Sequence, residues 1–300
     1  MRWKIFLVII SIMFIVSLMF FYLLPFNVIN FETKSGNSNF SLMNGSNMQF
    51  YPNMRFPDTR ISYRIFNCPL QKENDMEYAW SIIQNITVLK FYPVNDNEEI
   101  SITCEERNRI DNGMFIAGEG GPTNITVSGE FNVIENGEIL LIRQSECPKP
   151  NVAMHELFHV LGFQHSTNQD NIMYNVTSCS QTIGTDMTQL INNLYSVPSY
   201  PDLTFGNVSA NLAGRFLDVN MTILNSGLAD SEGFNLMIYA DGTLVKQMNL
   251  DPIGLGYGRI IELQKIFVAQ LSVSELKFVI DDNFFEINKA NNNLTLEIKK

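Results

Sequence analysis

All three histidines of this 300-residue chain fall in one short stretch, Ala153–His165, reading AMHELFHVLGFQH. His155 and His159 are four positions apart, so on a helix both imidazoles leave from one face. Gly162 is where that helix can end, because glycine accepts the left-handed conformation that turns the chain back. The turn would bring His165 round as a third nitrogen. Three imidazoles on one divalent cation leave a tetrahedral position open for water, the arrangement of a catalytic zinc site and not of a closed structural one. Glu156, beside the first histidine, is placed to hold and deprotonate that water. A surface helix with three unrelated histidines is the plain alternative. The third histidine and the glycine, both at this spacing, speak against it.

HELFHVLGFQH resembles the zinc-binding signature of the metzincin metallopeptidases. Asn171-Ile172-Met173-Tyr174 resembles the methionine turn of their matrixin branch. The resemblance implies an α+β catalytic domain in which a mixed sheet packs on an active-site helix. It implies one catalytic Zn2+ on His155, His159 and His165, with Glu156 as general base and Met173 as an apolar floor under the metal. Three imidazoles bind several metals, so zinc follows from the resemblance and not from the donors alone. Ca2+ has no support in the sequence. The substrate implied is a protein or peptide lying along an edge strand as an added strand, expected near Thr123–Val133. His165 makes a third ligand from a distant glutamate unnecessary. The rival reading is a surface adhesion protein whose metzincin-like domain no longer turns over.

Arg2 and Lys4 precede an apolar run from Ile5 to Phe26. About 20 apolar residues suffice to span a bilayer, and the basic flank would leave the N-terminus cytoplasmic. Residues 1–26 are therefore expected to be a single-pass signal-anchor at the cell membrane, with the remainder extracellular, or secreted if the segment is cleaved. Residues 27–57, rich in Asn, Ser and Gly, read as a stalk. That stretch contains no cysteine, so latency through a cysteine blocking the zinc is not expected. The net charge of -11 argues against nucleic acid as a partner.

Residues 58–198 read as the catalytic domain. Arg60–Phe66 alternates as a strand, and Met76, Ala79, Trp80 and Ile83 share one helical face suited to a core. Val88–Val94 and Glu99–Cys104 are further strands, and Asn112–Thr123, with its clustered glycines, reads as loop. Ile125–Ile134 and Glu138–Arg143 read as a hairpin turning at Glu135-Asn136-Gly137. Asn151 is a candidate helix cap. Met187, Leu190, Ile191 and Leu194 recur at helical spacing. The four cysteines, Cys68, Cys104, Cys147 and Cys179, allow three pairings. Pairing in chain order would tie two strand ends and would clip the start of the zinc helix to the loop after Met173. The residues themselves do not select among the three.

Beyond a short linker, residues 206–300 change to short alternating strands, such as Leu217, Val219, Met221 and Ile223, with a hairpin signal at Asp241-Gly242. They suggest a seven-stranded all-β sandwich. ILNSGLADSEGFNLMIYADGTLV and IDDNFFEINKANNNLTLEI resemble the CARDB-type immunoglobulin-like domain, which implies adhesion to a surface ligand, or substrate docking. A passive spacer is the alternative.

Overall fold

The structure, a computed structural model, describes residues 2–23, 37–42, 46–106, 109–111, 114–143, 147–270 and 272–297. It separates into two units, Met1–Gly36 and Asn37–Lys300. In the first, α1 covers Arg2–Leu23. Among the described residues no helix is long and apolar enough to cross a membrane. The expectation of a single-pass anchor, and with it membrane attachment through this helix, is corrected accordingly.

Residues 27–36 of the expected stalk lie outside the described residues. The described part from Asn37 onward is not a stalk, because it packs on the histidine-bearing domain. Phe40, Met54 and Phe56 are buried in its core. The Phe40 amide donates to Asp186 Oδ2 at 2.8 Å, and the Asn171 side chain donates to the Ser38 carbonyl at 2.6 Å. Gln49 forms a bridge with Phe163. These apolar side chains, spaced among polar residues, show no period, which is why they read as linker.

The sheet of the histidine-bearing domain is built from β1 (Met54–Arg55), β2 (Arg60–Phe66), β3 (Lys90–Pro93), β4 (Ile100–Cys104), β7 (Gly118–Ser128) and β8 (Phe131–Leu141), with a small hairpin of β5 (Arg109–Asp111) and β6 (Met114–Ile116). β1 and β4 both run parallel to β8, and β2 joins β4 to β3, also parallel. β7 is antiparallel to β8. It is the edge of the sheet, since among the described residues it pairs with β8 alone. α2 (Leu70–Ile86) buries Met76, Ala79, Trp80 and Ile83, the face expected. α3 (Asn151–Val160) is buried on every side, between β7, β8 and α2. α4 (Thr185–Leu194) buries Met187, Ile191 and Leu194.

Two local expectations are corrected here. Gly118-Glu119-Gly120-Gly121 is strand, not loop, and the hairpin turns at Gly129-Glu130 while Asn136-Gly137 lies inside β8. The glycines signal close packing in place of turns. A Cβ on Gly137 would stand 2.5 Å from Val160 Cγ1, so a side chain there would push α3 off the sheet.

The C-terminal domain has its own core around Leu236, Ile238 and Phe278. β9 (Leu203–Ala213), β10 (Phe216–Asn225) and β13 (Gly258–Phe267) form one antiparallel sheet. β11 (Phe234–Ala240), β12 (Thr243–Leu250), β14 (Glu275–Asp281) and β15 (Asn293–Glu297) form the other. The inward residues of β10, among them Leu217, Val219, Met221 and Ile223, are buried and the alternate ones are not. Contacts at the linker and at the β7–β8 hairpin hold this sandwich to the histidine-bearing domain. The buried Arg55 guanidinium donates to the Leu194 and Val197 carbonyls at 2.6 and 2.9 Å, holding the linker. At the tip of the β7–β8 hairpin, Ser128 Oγ donates to the Gly227 carbonyl at 2.6 Å.

Candidate metal centre

The three histidines converge as their spacing predicts. α3 presents His155 and His159, the helix stops at Val160, and Gly162 takes φ +92°. The amides of Gly162 and Phe163 then close on the carbonyls of His159 and Phe158 at 2.9 and 3.0 Å. This is the glycine-ended helix stop, which returns the chain so that His165 faces the helix. The Nε2 atoms lie 3.0 Å (His155–His159), 3.2 Å (His159–His165) and 3.3 Å (His155–His165) apart.

The remaining ring nitrogens explain the convergence. His155 Nδ1 donates to the Ile172 carbonyl at 2.7 Å and His159 Nδ1 to the Phe163 carbonyl at 2.8 Å. With the protons held there, both Nε2 atoms carry lone pairs aimed at a common point, as a metal-ligating imidazole requires. Zinc–nitrogen bonds of about 2.0–2.1 Å at tetrahedral angles put neighbouring nitrogens about 3.3 Å apart. The observed separations fit such an ion, and all three donors are imidazoles, a set that suits it.

Burial pushes the His155 and His159 pKa values down, to about 4 and about 3, so both rings stay neutral well into acid. Glu156 is buried beside them, and burial, with Glu119 adding, raises its carboxyl to about 8. A divalent cation at the three nitrogens would favour the carboxylate again. In metal-free protein, the stability gained by holding His155, His159 and His165 neutral is present above pH 6.5 and is lost as pH falls below it, because the unfolded chain then binds protons that the folded one refuses. The raised carboxyls of Glu156 and Glu286 act in the opposite sense, so between pH 6.5 and 8 stability is expected to fall as pH rises. Melting temperatures of chelator-treated protein between pH 6.5 and 8 check that slope.

Met173 is fully buried just past His165. Its carbonyl accepts the Ser166 amide at 2.8 Å, and the Ile172 carbonyl before it orients His155. Asn151 does not cap α3. It is buried, and its Nδ2 donates to the Ser178 carbonyl at 2.7 Å. The disulfides are Cys68–Cys104 and Cys147–Cys179, and the second clips the chain before α3 to the loop after Met173.

Sequence reasoning misses three neighbours of the site. Gly118 and Gly120 of β7 lie directly against Glu156, where a Cβ would stand 2.8 Å from its side chain and 2.5 Å from its carbonyl oxygen, respectively. The clustered glycines are the signal, and in the sequence they read as loop. The Phe50 ring, from the segment taken for stalk, stacks on His159 with centroids 5.9 Å apart. No pattern in the sequence marks it.

The matrixin family model matches residues 55–196, and the CARDB family model matches residues 200–296. A search of the curated proteins finds no match. Among solved structures, the CARDB domain of a Pyrococcus furiosus protein, described as a complex with di-metal ions, is 17% identical, covers 33% of this chain and 87% of its own, and has a TM-score of 0.29. The zinc-protease hatching enzyme high choriolytic enzyme 1 of the medaka fish Oryzias latipes is 20% identical, covers 42% of this chain and 55% of its own, and has a TM-score of 0.24. Myroilysin is 10% identical, covers 55% and 93%, and has a TM-score of 0.30. Residues 55–196 are thus similar to the matrixin family, and residues 200–296, which follow, to CARDB.

Proposed function

We propose that the protein is a zinc-dependent endopeptidase. The observation that carries this reading is the convergence of three imidazole lone pairs, with a buried carboxyl beside them. His155, His159 and His165 would hold the ion. When bound, zinc acidifies a water and polarises the scissile carbonyl. Glu156 takes the proton of the attacking water and passes it to the leaving nitrogen. The Ile172 and Phe163 carbonyls keep two ligands in the competent tautomer. Met173 supplies the apolar floor. The substrate backbone pairs with the free edge of β7, whose metal-proximal end, Gly118 and Gly120, lies on Glu156. Two disulfides suit an oxidising, extracellular compartment.

Digestion of casein or a peptide library tests this. Hydrolysis is expected to stop on chelation and to return with one equivalent of zinc. Hydrolysis indifferent to the chelator, or a protein that takes up no metal, would overturn it, and metal uptake without hydrolysis would favour a binding role.

A further inference from the structure

A cleft of about 400 Å³ opens where the linker meets two loops of the sandwich, and none of its lining residues belongs to the metal centre. Tyr200 comes from the linker, Asp230 and Glu232 from the loop between β10 and β11, and Asn283, Phe284 and Phe285 from the loop between β14 and β15. The volume is at the lower end of ligand clefts, about 300–1,000 Å³, so it suits one side chain or a small head group and not a run of polypeptide. Phe284 packs on the core of the sandwich, but Phe285 is 77% exposed. Its ring and that of Tyr200 stack with centroids 5.7 Å apart and planes at 25°, leaving most of the Phe285 ring in solvent.

The loop that presents Phe285 is braced. Glu286 Oε2 accepts the Leu203 amide at 2.9 Å, and the Ile287 amide donates to the Pro201 carbonyl at 2.9 Å. Asn292 Nδ2 donates to Asp282 Oδ2 at 2.9 Å and to Glu286 Oε1 at 3.1 Å. Asp230 is oriented too, since its Oδ1 accepts the Leu255 amide at 2.8 Å. Neither Asp230 nor Glu232 has a Lys or Arg partner among the described residues, and the lining holds no cation. Lys289, on the same loop as Phe285, is engaged by Asp282. The cleft thus sets an open aromatic ring beside two uncompensated carboxylates, the combination that receives an organic cation.

We propose that this cleft is a binding site for an arginine side chain carried by a polypeptide partner. The guanidinium is flat, so it lies on the open face of Phe285, and its fork of N–H donors reaches a carboxylate with two parallel hydrogen bonds. An ammonium is a point charge that lacks the fork and the flat face. A sugar would stack on the same rings, but it is neutral and leaves both negative charges uncompensated. The net charge of -11 favours the approach of a basic partner as well. The sandwich would hold such a segment independently of the metal centre, so the site does not draw on the peptidase reading.

Capped peptides of the form Gly-Gly-X-Gly-Gly, titrated into isotope-labelled, chelator-treated protein and followed by NMR, test this. With X as Arg, the amides of Asp230, Glu232 and Phe285 are expected to shift, and binding should be about ten-fold tighter than with citrulline, the neutral isostere. Lys should fall between the two. Phe285→Ala should weaken the Arg peptide about five-fold. The Asp230→Asn, Glu232→Gln double variant should reduce it to the citrulline level. Asparagine still accepts the Leu255 amide, and an unchanged melting temperature reports that the variant folds. Phe267→Ala, at an exposed ring elsewhere on the sandwich, should bind as wild type does. Arg and citrulline binding equally, shifts confined to other residues, no shift at all, or Arg binding that survives the double variant would each overturn the site. So would a neutral oligosaccharide that shifts the same amides where Arg does not. The citrulline comparison is made on the wild-type chain and stands even if a variant fails to fold.

Discussion

Replacing Glu156 with Ala is expected to lower kcat/KM for peptide hydrolysis by about 10³-fold while zinc content stays at one equivalent. The magnitude is that of losing a positioned general base. Metal retention follows because the donors are three imidazoles whose orientation is set by the Ile172 and Phe163 carbonyls and not by Glu156. Its carboxyl instead lies along Gly118, on the edge strand. Kinetics on the peptide substrate, together with metal analysis of the same preparation, read both quantities. A variant with undiminished hydrolysis would remove Glu156 from the mechanism. One that lost the zinc as well would make it part of the metal's support.

Gly120→Ala should cost about 3 kcal/mol or more of stability and weaken metal binding, although it adds one methyl group. The new Cβ would stand 2.5 Å from the Glu156 carbonyl oxygen and 3.0 Å from its Cα. These are backbone atoms, so no rotamer change relieves the clash, and β7 and α3 must move apart. The adjacent Gly121→Ala provides the control, because a Cβ there meets nothing within 4 Å. Denaturant titration of the two variants should place Gly121→Ala within about 0.5 kcal/mol of wild type. Equal midpoints for both would mean that β7 and α3 can separate at Gly120 at little cost.

The contrast between these two glycines also shows where sequence reading stopped. Gly162, His155 and His159 were legible because their roles are set by helix geometry over a few residues, which spacing alone expresses. α2 and the β10 alternation were legible for the same reason, since each has one buried face and therefore a period. Gly120 and Gly137 were misread as loop and turn because a glycine needed for close approach looks the same in sequence as one needed for a turn. Residues 37–57 were misread because irregular chain that packs has no period to detect. Phe40, Gln49 and Arg55 find their partners near Asp186, Phe163 and Leu194, all more than a hundred residues away.

The sequence by itself determined the donor set, the helix that carries it, the glycine that ends that helix and the change to an all-β domain after the linker. Only the tertiary structure decided that the imidazole nitrogens meet at 3.0–3.3 Å, which cysteines pair, and that β7 is an edge lying on Glu156. It alone set the sandwich across the end of that edge. The division is one of range. Local backbone geometry repeats with a fixed period and leaves its mark in the order of residues. Contacts between distant segments depend on which surfaces fit together once each element has formed, and no spacing records that.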